Sequence, residues 1–222
     1  MNISQVVNST IIVAIIMLFG NGCTTVNVDH VKHQSTELKS GEYVVIIGRR
    51  SSSEYETEPE LVSCIGNVLK AGDNPLNVVD EKTFSNQLYP WFEPRTAPTQ
   101  INSLRRLLNY QRVADAFNQF NVHYIIWVDG NTEKTRSSGT MNCGLSAGGA
   151  ACFGFGTWDK SSKYEATIWD YKEQKIIGQV SSTADGTSYM PAIVVPIPLI
   201  AQVQKEACKG MAQQLRQFFV EQ

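Results

Sequence analysis

Three histidines and five cysteines are the side chains here best suited to chemistry. His123 has no Ser or Cys nucleophile beside it in sequence, so it reads as a satisfied histidine of a strand or core. His30 and His33 stand three apart in a polar stretch, too small a ligand set to hold a metal. There is no Cys-x-x-Cys pair, and the cysteines lack the close paired spacings of a four-cysteine zinc site. Asp129, Glu165 and Asp170 are scattered, whereas a glycosidase needs two carboxylates about 5–9 Å apart across a cleft. The segment 137–156 is glycine-rich, but it has no Gly-Lys-Ser/Thr ending and no dinucleotide-type glycine spacing. The expectation is a protein that is not an enzyme and holds neither cofactor nor metal.

Composition narrows the partners. The 222 residues are 42% hydrophobic and 18% charged, which fits a folded globular protein, and the net charge is −2. No basic stripe stands out, so nucleic-acid binding by phosphate neutralisation has little electrostatic basis. Arg105, Arg106 and Arg112 read as the solvated face of a helix.

Residues 11–19 form an apolar run that gives way to Gly20-Asn21-Gly22-Cys23. Those are the proportions of a signal-peptide core and cleavage site, with residues 1–22 removed. The end of this segment resembles a bacterial lipoprotein signal. The resemblance implies that Cys23 carries lipid, that the chain is membrane-anchored, and, with Thr24 where Asp commonly signals inner-membrane retention, that it faces the periplasm from the outer membrane. Residues 23–40 then read as a lipidated N-terminus and flexible tether. Setting Cys23 aside leaves four cysteines in an oxidising compartment, an even number. Cys143 and Cys152 bracket a glycine-rich loop at about 137–160, and pairing them would remove roughly 2–3 kcal/mol of unfolded-state freedom. Cys64 and Cys208 both lie on apolar helix faces, either as a second disulfide or as two buried thiols.

The remainder, 41–222, reads as one α/β domain. Tyr43–Gly48 is a β-branched strand. Thr57-Glu58-Pro59-Glu60 predicts a helix start with Thr57 as cap, followed by an apolar face at Leu61, Cys64, Ile65, Val68 and Leu69. A second strand is expected at 75–80, a short helix from Glu81, and one long helix from about Thr99 to Phe120. Val122–Val128 reads as a central strand, and 164–170 with 175–181 as a β-hairpin. Pro196 and Pro198 mark an apolar entry into a final helix. Trp91 and Phe92, in a proline-pinned loop, and Phe153, Phe155 and Trp158, beside the glycine-rich loop, are candidate partner contacts; core cover is the competing role for each.

This order predicts an α/β (α+β) fold, a mixed sheet with helices packed on it. It resembles the TolB N-terminal-like domain shared by envelope lipoproteins, including the curli secretion lipoprotein and lipoprotein activators of peptidoglycan synthases. The resemblance rests on the Cys23 start, the strand-helix unit 43–70, Leu76-Asn77-Val78-Val79-Asp80 with Phe84, the strand ending at Ile125-Ile126-Trp127-Val128, and the hairpin from Ala166 to Val180. It implies a non-enzymatic binding or assembly module whose partner is an envelope protein or further copies of itself. The alternative is an oligomeric secretion or pore component of the outer membrane, with strands from 135–164. A periplasmic glycan hydrolase is a weaker third reading.

Overall fold

The structure, a computed structural model, describes residues 24–34, 36, 38–49, 56–93, 96–146, 149–196 and 198–220. The expected signal segment 1–22 and Cys23 lie outside the described residues. The strands are β1 (Thr24–Lys32), β2 (Tyr43–Gly48), β3 (Val78–Val79), β4 (Val122–Ser146), β5 (Gly149–Asp170) and β6 (Lys175–Pro196). The helices are α1 (Pro59–Lys70), α2 (Glu81–Gln87), α3 (Ile101–Leu107), α4 (Gln111–Phe120) and α5 (Val203–Val220). The strands form one six-stranded sheet in the order β1-β6-β5-β4-β2-β3. β2 pairs in parallel with both neighbours, Val45 standing opposite Val79 and Ile125. β4, β5 and β6 are neighbours that follow one another within a few residues, too short a connection for a parallel crossover, so those pairs are antiparallel. The expected mixed α+β sheet is therefore the fold.

The chain divides into two compact units. The first holds Val26–Thr132, Ser162–Ala184 and the helix from Gln204. In it, β2 is buried on both faces, as its unbroken β-branched run requires. Val45 and Ile47, with Ile125, Trp127 and Trp169, pack against Phe84, Phe92, Leu104, Val113 and Phe117 from the α2–α4 region. Each such fully buried side chain contributes about 1.5–3 kcal/mol relative to exposure. Val44, Ile46 and Tyr124, which point the other way, are buried with Leu61, Ile65 and Leu69 of α1 and Met211, Leu215 and Phe218 of α5. The Cys64–Cys208 disulfide, with Cα atoms 6.2 Å apart, joins these two helices.

Four sequence expectations are corrected here. The tether after Cys23 is in part the edge strand β1. Val26 and Val28 reach α5 at Gly210, where a side chain would stand 2.8 Å from a Val28 methyl and 3.1 Å from one of Val26. Lys32 Nζ and Thr36 Oγ1 then donate to the carbonyl of Phe218 at 2.9 and 2.7 Å, near the end of α5. The long helix 99–120 is two helices, broken at 108–110. Ile101, Leu104 and Leu108 point roughly 130° away from Val113, Ala116, Phe117 and Phe120 at 100° per residue, so a continuous helix could not bury both sets on one sheet. Thr57 does not cap α1. Glu58 occupies the cap position without a side-chain bond to the helix, and the buried Thr57 hydroxyl donates to the carbonyl of Val128 at 3.0 Å. The glycine-rich loop is the fourth.

Candidate functional site

The second unit contains Glu133–Ser161 and Asp185–Val203. Its glycines build strands. Gly139 and Gly154 have φ of +119° and +148°, and a Cβ on either would lie 2.2 Å from a cross-strand carbonyl, that of Phe155 or Thr140. Only glycine permits so close a backbone approach in that conformation. The Cys143–Cys152 disulfide ties β4 to β5 with Cα atoms 4.1 Å apart. The apolar segment expected to lead into the last helix instead extends β6 to Pro196. The chain then returns so that Tyr189 and Leu199 exchange backbone hydrogen bonds of 2.9 and 2.7 Å.

This sheet has almost no core of its own. None of residues 133–145 or 149–160 is buried. Leu145 is 90% exposed, Phe153 58% and Phe155 49%. The Phe155 ring lies 6.1 Å from that of Tyr189. Thr187 donates to Asp159 at 2.7 Å, and Ser188 Oγ accepts from the Ala201 N–H at 3.0 Å. An apolar and aromatic surface carried on a disulfide-tied ribbon suits a contact with a partner.

The other expected contact residues separate. Trp158 and Trp91 are half-buried, and Trp91 packs by Tyr110 at 6.0 Å with Arg112 over its ring at 5.7 Å. Phe92 is 4% exposed, stacked on Trp127 and edge-on to Phe84, so it is core and not a contact. Phe92 points inward because its ring completes the cluster under α2 and α4.

Charged groups, several of which the sequence did not single out, gather at the two ends of β2. Where β2 and β4 begin, Glu42 accepts hydrogen bonds from Lys172 Nζ and from the Lys39 N–H at 3.0 Å, and contacts His123 Nδ1 at 2.7 Å. His123 Nε2 stands 3.4 Å from Asp170. His123 is thus a satisfied sheet histidine. Where β2 ends opposite Val128 of β4, an open cleft of about 1450 Å³ includes Arg49, Glu81, Trp127, Asp129, Lys163 and Glu165 in its walls. Beside it, Glu58 accepts from Tyr164 Oη at 2.9 Å and from the Thr132 N–H at 2.9 Å. Burial pushes the Tyr164 phenol well above its ordinary value, with the nearby Glu58 charge adding to the shift. Asp129 and Glu165 share the cleft, whereas Asp170 lies with His123. Glu42, Arg49 and Lys172 carry no local motif; pairs such as Glu42 and Lys172, 130 residues apart, meet only once the sheet forms. Among the described residues no group of three or more His, Cys, Asp or Glu side chains is placed to hold a metal ion. No helix among them is long and apolar enough to cross a membrane.

No family model and no curated protein matches the chain. Among solved structures it is similar to the PelC dodecamer from Paraburkholderia phytofirmans, at 12% identity and a TM-score of 0.43, covering 89% of this chain and 100% of that one. A single-substitution form of that dodecamer aligns at 13% identity and a TM-score of 0.43, over 87% and 98% of the two chains. A structure provisionally assigned as a neuraminyllactose-binding hemagglutinin homolog from Helicobacter pylori aligns at 10% identity and a TM-score of 0.37, over 85% and 90%.

Proposed function

We propose that this chain is a lipid-anchored envelope protein that works without catalysis as an assembly module, joining further copies of itself through the sheet of residues 133–161 and 185–196. In this reading Cys23 carries the lipid and the protein faces the periplasm from the outer membrane. The observation that carries the proposal is the coreless, disulfide-tied ribbon presenting Leu145, Phe153 and Phe155 to solvent. Clustered exposed apolar side chains mark a surface that another chain can cover. Crosslinking in intact cells, followed by purification in mild detergent, tests it: a ladder of multimers supports assembly, and a solitary monomer contradicts it.

A second reading, an oligomeric secretion or pore component, is favoured by strand length. β4, β5 and β6 run 25, 22 and 22 residues, against about 9–11 for a strand crossing a bilayer. Dye release from liposomes by the purified multimer separates the two, since an assembly module leaves the vesicles sealed.

A further inference from the structure

The ribbon of the second unit changes character along its length. Its base is charged, with Lys134 and Arg136 on β4, Asp159 and Lys160 on β5, and Asp185 on β6. Beyond them, β4 at 137–146, β5 at 149–158 and β6 at 186–196 carry no charged side chain. These spans are ten, ten and eleven residues long, against about 9–11 for a tilted strand that crosses a bilayer. They also start level with one another. Gly139 lies beside Phe155 and Gly156, and Gly154 beside Thr140 and Met141, a register that sets Ser137 opposite Trp158. Thr187 donates to Asp159 at 2.7 Å, so β6 sheds its charge at the same height.

The two faces of this charge-free part differ. Successive side chains of a strand point to opposite faces. Cys143 and Cys152 are bonded across β4 and β5 and share one face. Counting by twos from them adds Met141 and Leu145 on β4 and Trp158 on β5, and the other positions of that face between 139 and 145 and between 150 and 158 are glycine or alanine. The opposite face carries Ser138, Thr140, Asn142 and Thr157 together with Phe153 and Phe155. One apolar face and one polar face at a period of two is the pattern of strands with one side in lipid. Trp158, at the boundary with the charged base, is a residue type enriched where membrane meets water. The start of β1 lies at that boundary too. A Cβ on Gly186 would meet Thr24 Oγ1 at 3.1 Å, and Thr24 is the residue after Cys23. A lipid on Cys23 would therefore enter a bilayer where the charge-free part of the ribbon begins.

We infer that the charge-free part of the ribbon is seated in the acyl-chain region of a lipid bilayer, its Cys143–Cys152 face against lipid and its boundary at Arg136, Asp159 and Asp185. The inference rests on the second reading above for strands in the membrane, and adds their depth and the face they turn to lipid. It leaves the face of Phe153 and Phe155 to neighbouring copies. Strand edges cannot stay unpaired in hydrocarbon, so insertion takes place in the assembled state.

Photolabelling from within the bilayer tests it. The full-length protein is reconstituted into vesicles of phosphatidylethanolamine and phosphatidylglycerol in which part of the phospholipid carries a diazirine at the end of one acyl chain. After photolysis the labelled positions are mapped by mass spectrometry, and molar mass and dye retention are measured on the same preparation. Labels are expected within 137–146 and 149–158, Met141 among them, and none within 38–130. Met141→Arg places a charge midway along the lipid face, where hydrocarbon tolerates it poorly. It is expected to fold as the wild type does, by circular dichroism, and to lose ribbon labelling at least tenfold; the wild-type map stands independently of that variant. A multimer with no label in these spans, or a folded Met141→Arg protein labelled as strongly as the wild type, overturns the inference and leaves assembly standing. A labelled ribbon in vesicles that keep their dye supports the inference and contradicts the pore alone.

Discussion

His123 Nδ1 and Glu42 Oε2 meet at 2.7 Å across 81 residues of sequence. The contact joins the residue just before β2 to the start of β4, and Lys172 and Asp170 add the β5–β6 turn. Burial alone would raise the Glu42 pKa. Hydrogen bonds from Lys172, His123 and the Lys39 N–H, with the His123 charge, outweigh it and lower the value from 4.5 to about 2. A depressed carboxylate contributes stability above its unfolded value and loses it as pH falls through the folded one. Glu42→Gln is therefore expected to cost about 1–3 kcal/mol at neutral pH. The gap from wild type should close as pH drops from 4.5 towards 2, as measured by urea unfolding at a series of pH values. A gap that stays constant with pH contradicts this role.

The two disulfides should behave differently. Cys64 and Cys208 close a separation of 144 residues between two core helices. The Cys64→Ser/Cys208→Ser double variant is expected to lose about 2–5 kcal/mol in urea unfolding. Cys143→Ser/Cys152→Ser acts on a ribbon with no buried residue between 133 and 145. Its expected effect is local opening, read as faster proteolysis within 133–161 with the global midpoint little changed.

Adjacent aromatics separate packing from binding. Phe92→Ala empties a site shared with Phe84, Phe117 and Trp127 and is expected to cost about 3–5 kcal/mol. Trp91→Ala removes a half-buried ring and should cost under about 1.5 kcal/mol by the same unfolding measurement.

Gly130 has φ +123°, and a Cβ there would lie 2.0 Å from the carbonyl of Lys163. Gly130→Ala should destabilise by at least about 2 kcal/mol, because strain and a backbone clash act together. Amide exchange should rise first at β4 and β5 on either side of it.

Much of the first unit was legible in the chain. The runs Tyr43–Gly48 and Val122–Val128 are strands because β-branched residues fill both faces, and the hairpin around 171–174 lies where the turn residues put it. The Cys143–Cys152 pairing is legible from two cysteines bracketing a glycine-rich stretch, whereas Cys64 and Cys208 on apolar faces left a disulfide and two buried thiols equally open. β1 was missed because its pattern is polar: of its nine residues, only three are better than exposed. The break in the long helix is visible only in the phase of its apolar residues, which shifts past Leu108. Residues 137–160 read as a loop in sequence because their glycines serve cross-strand contacts with partners such as Phe155 and Thr140, invisible before pairing is known. Arg49 gave no signal, since the rings it packs over, Trp127 and Trp169, lie in distant strands.

Self-association through the stapled ribbon is the central claim. Its most direct test is the molar mass, by light scattering in mild detergent, of the membrane-extracted protein and of Phe153→Ser/Phe155→Ser. These two side chains are 58% and 49% exposed, so the double variant should fold as the wild type does. The account predicts a multimer for the wild type that falls towards monomer in the variant. A wild-type monomer at micromolar concentration, or a multimer unchanged by the double substitution, would contradict it.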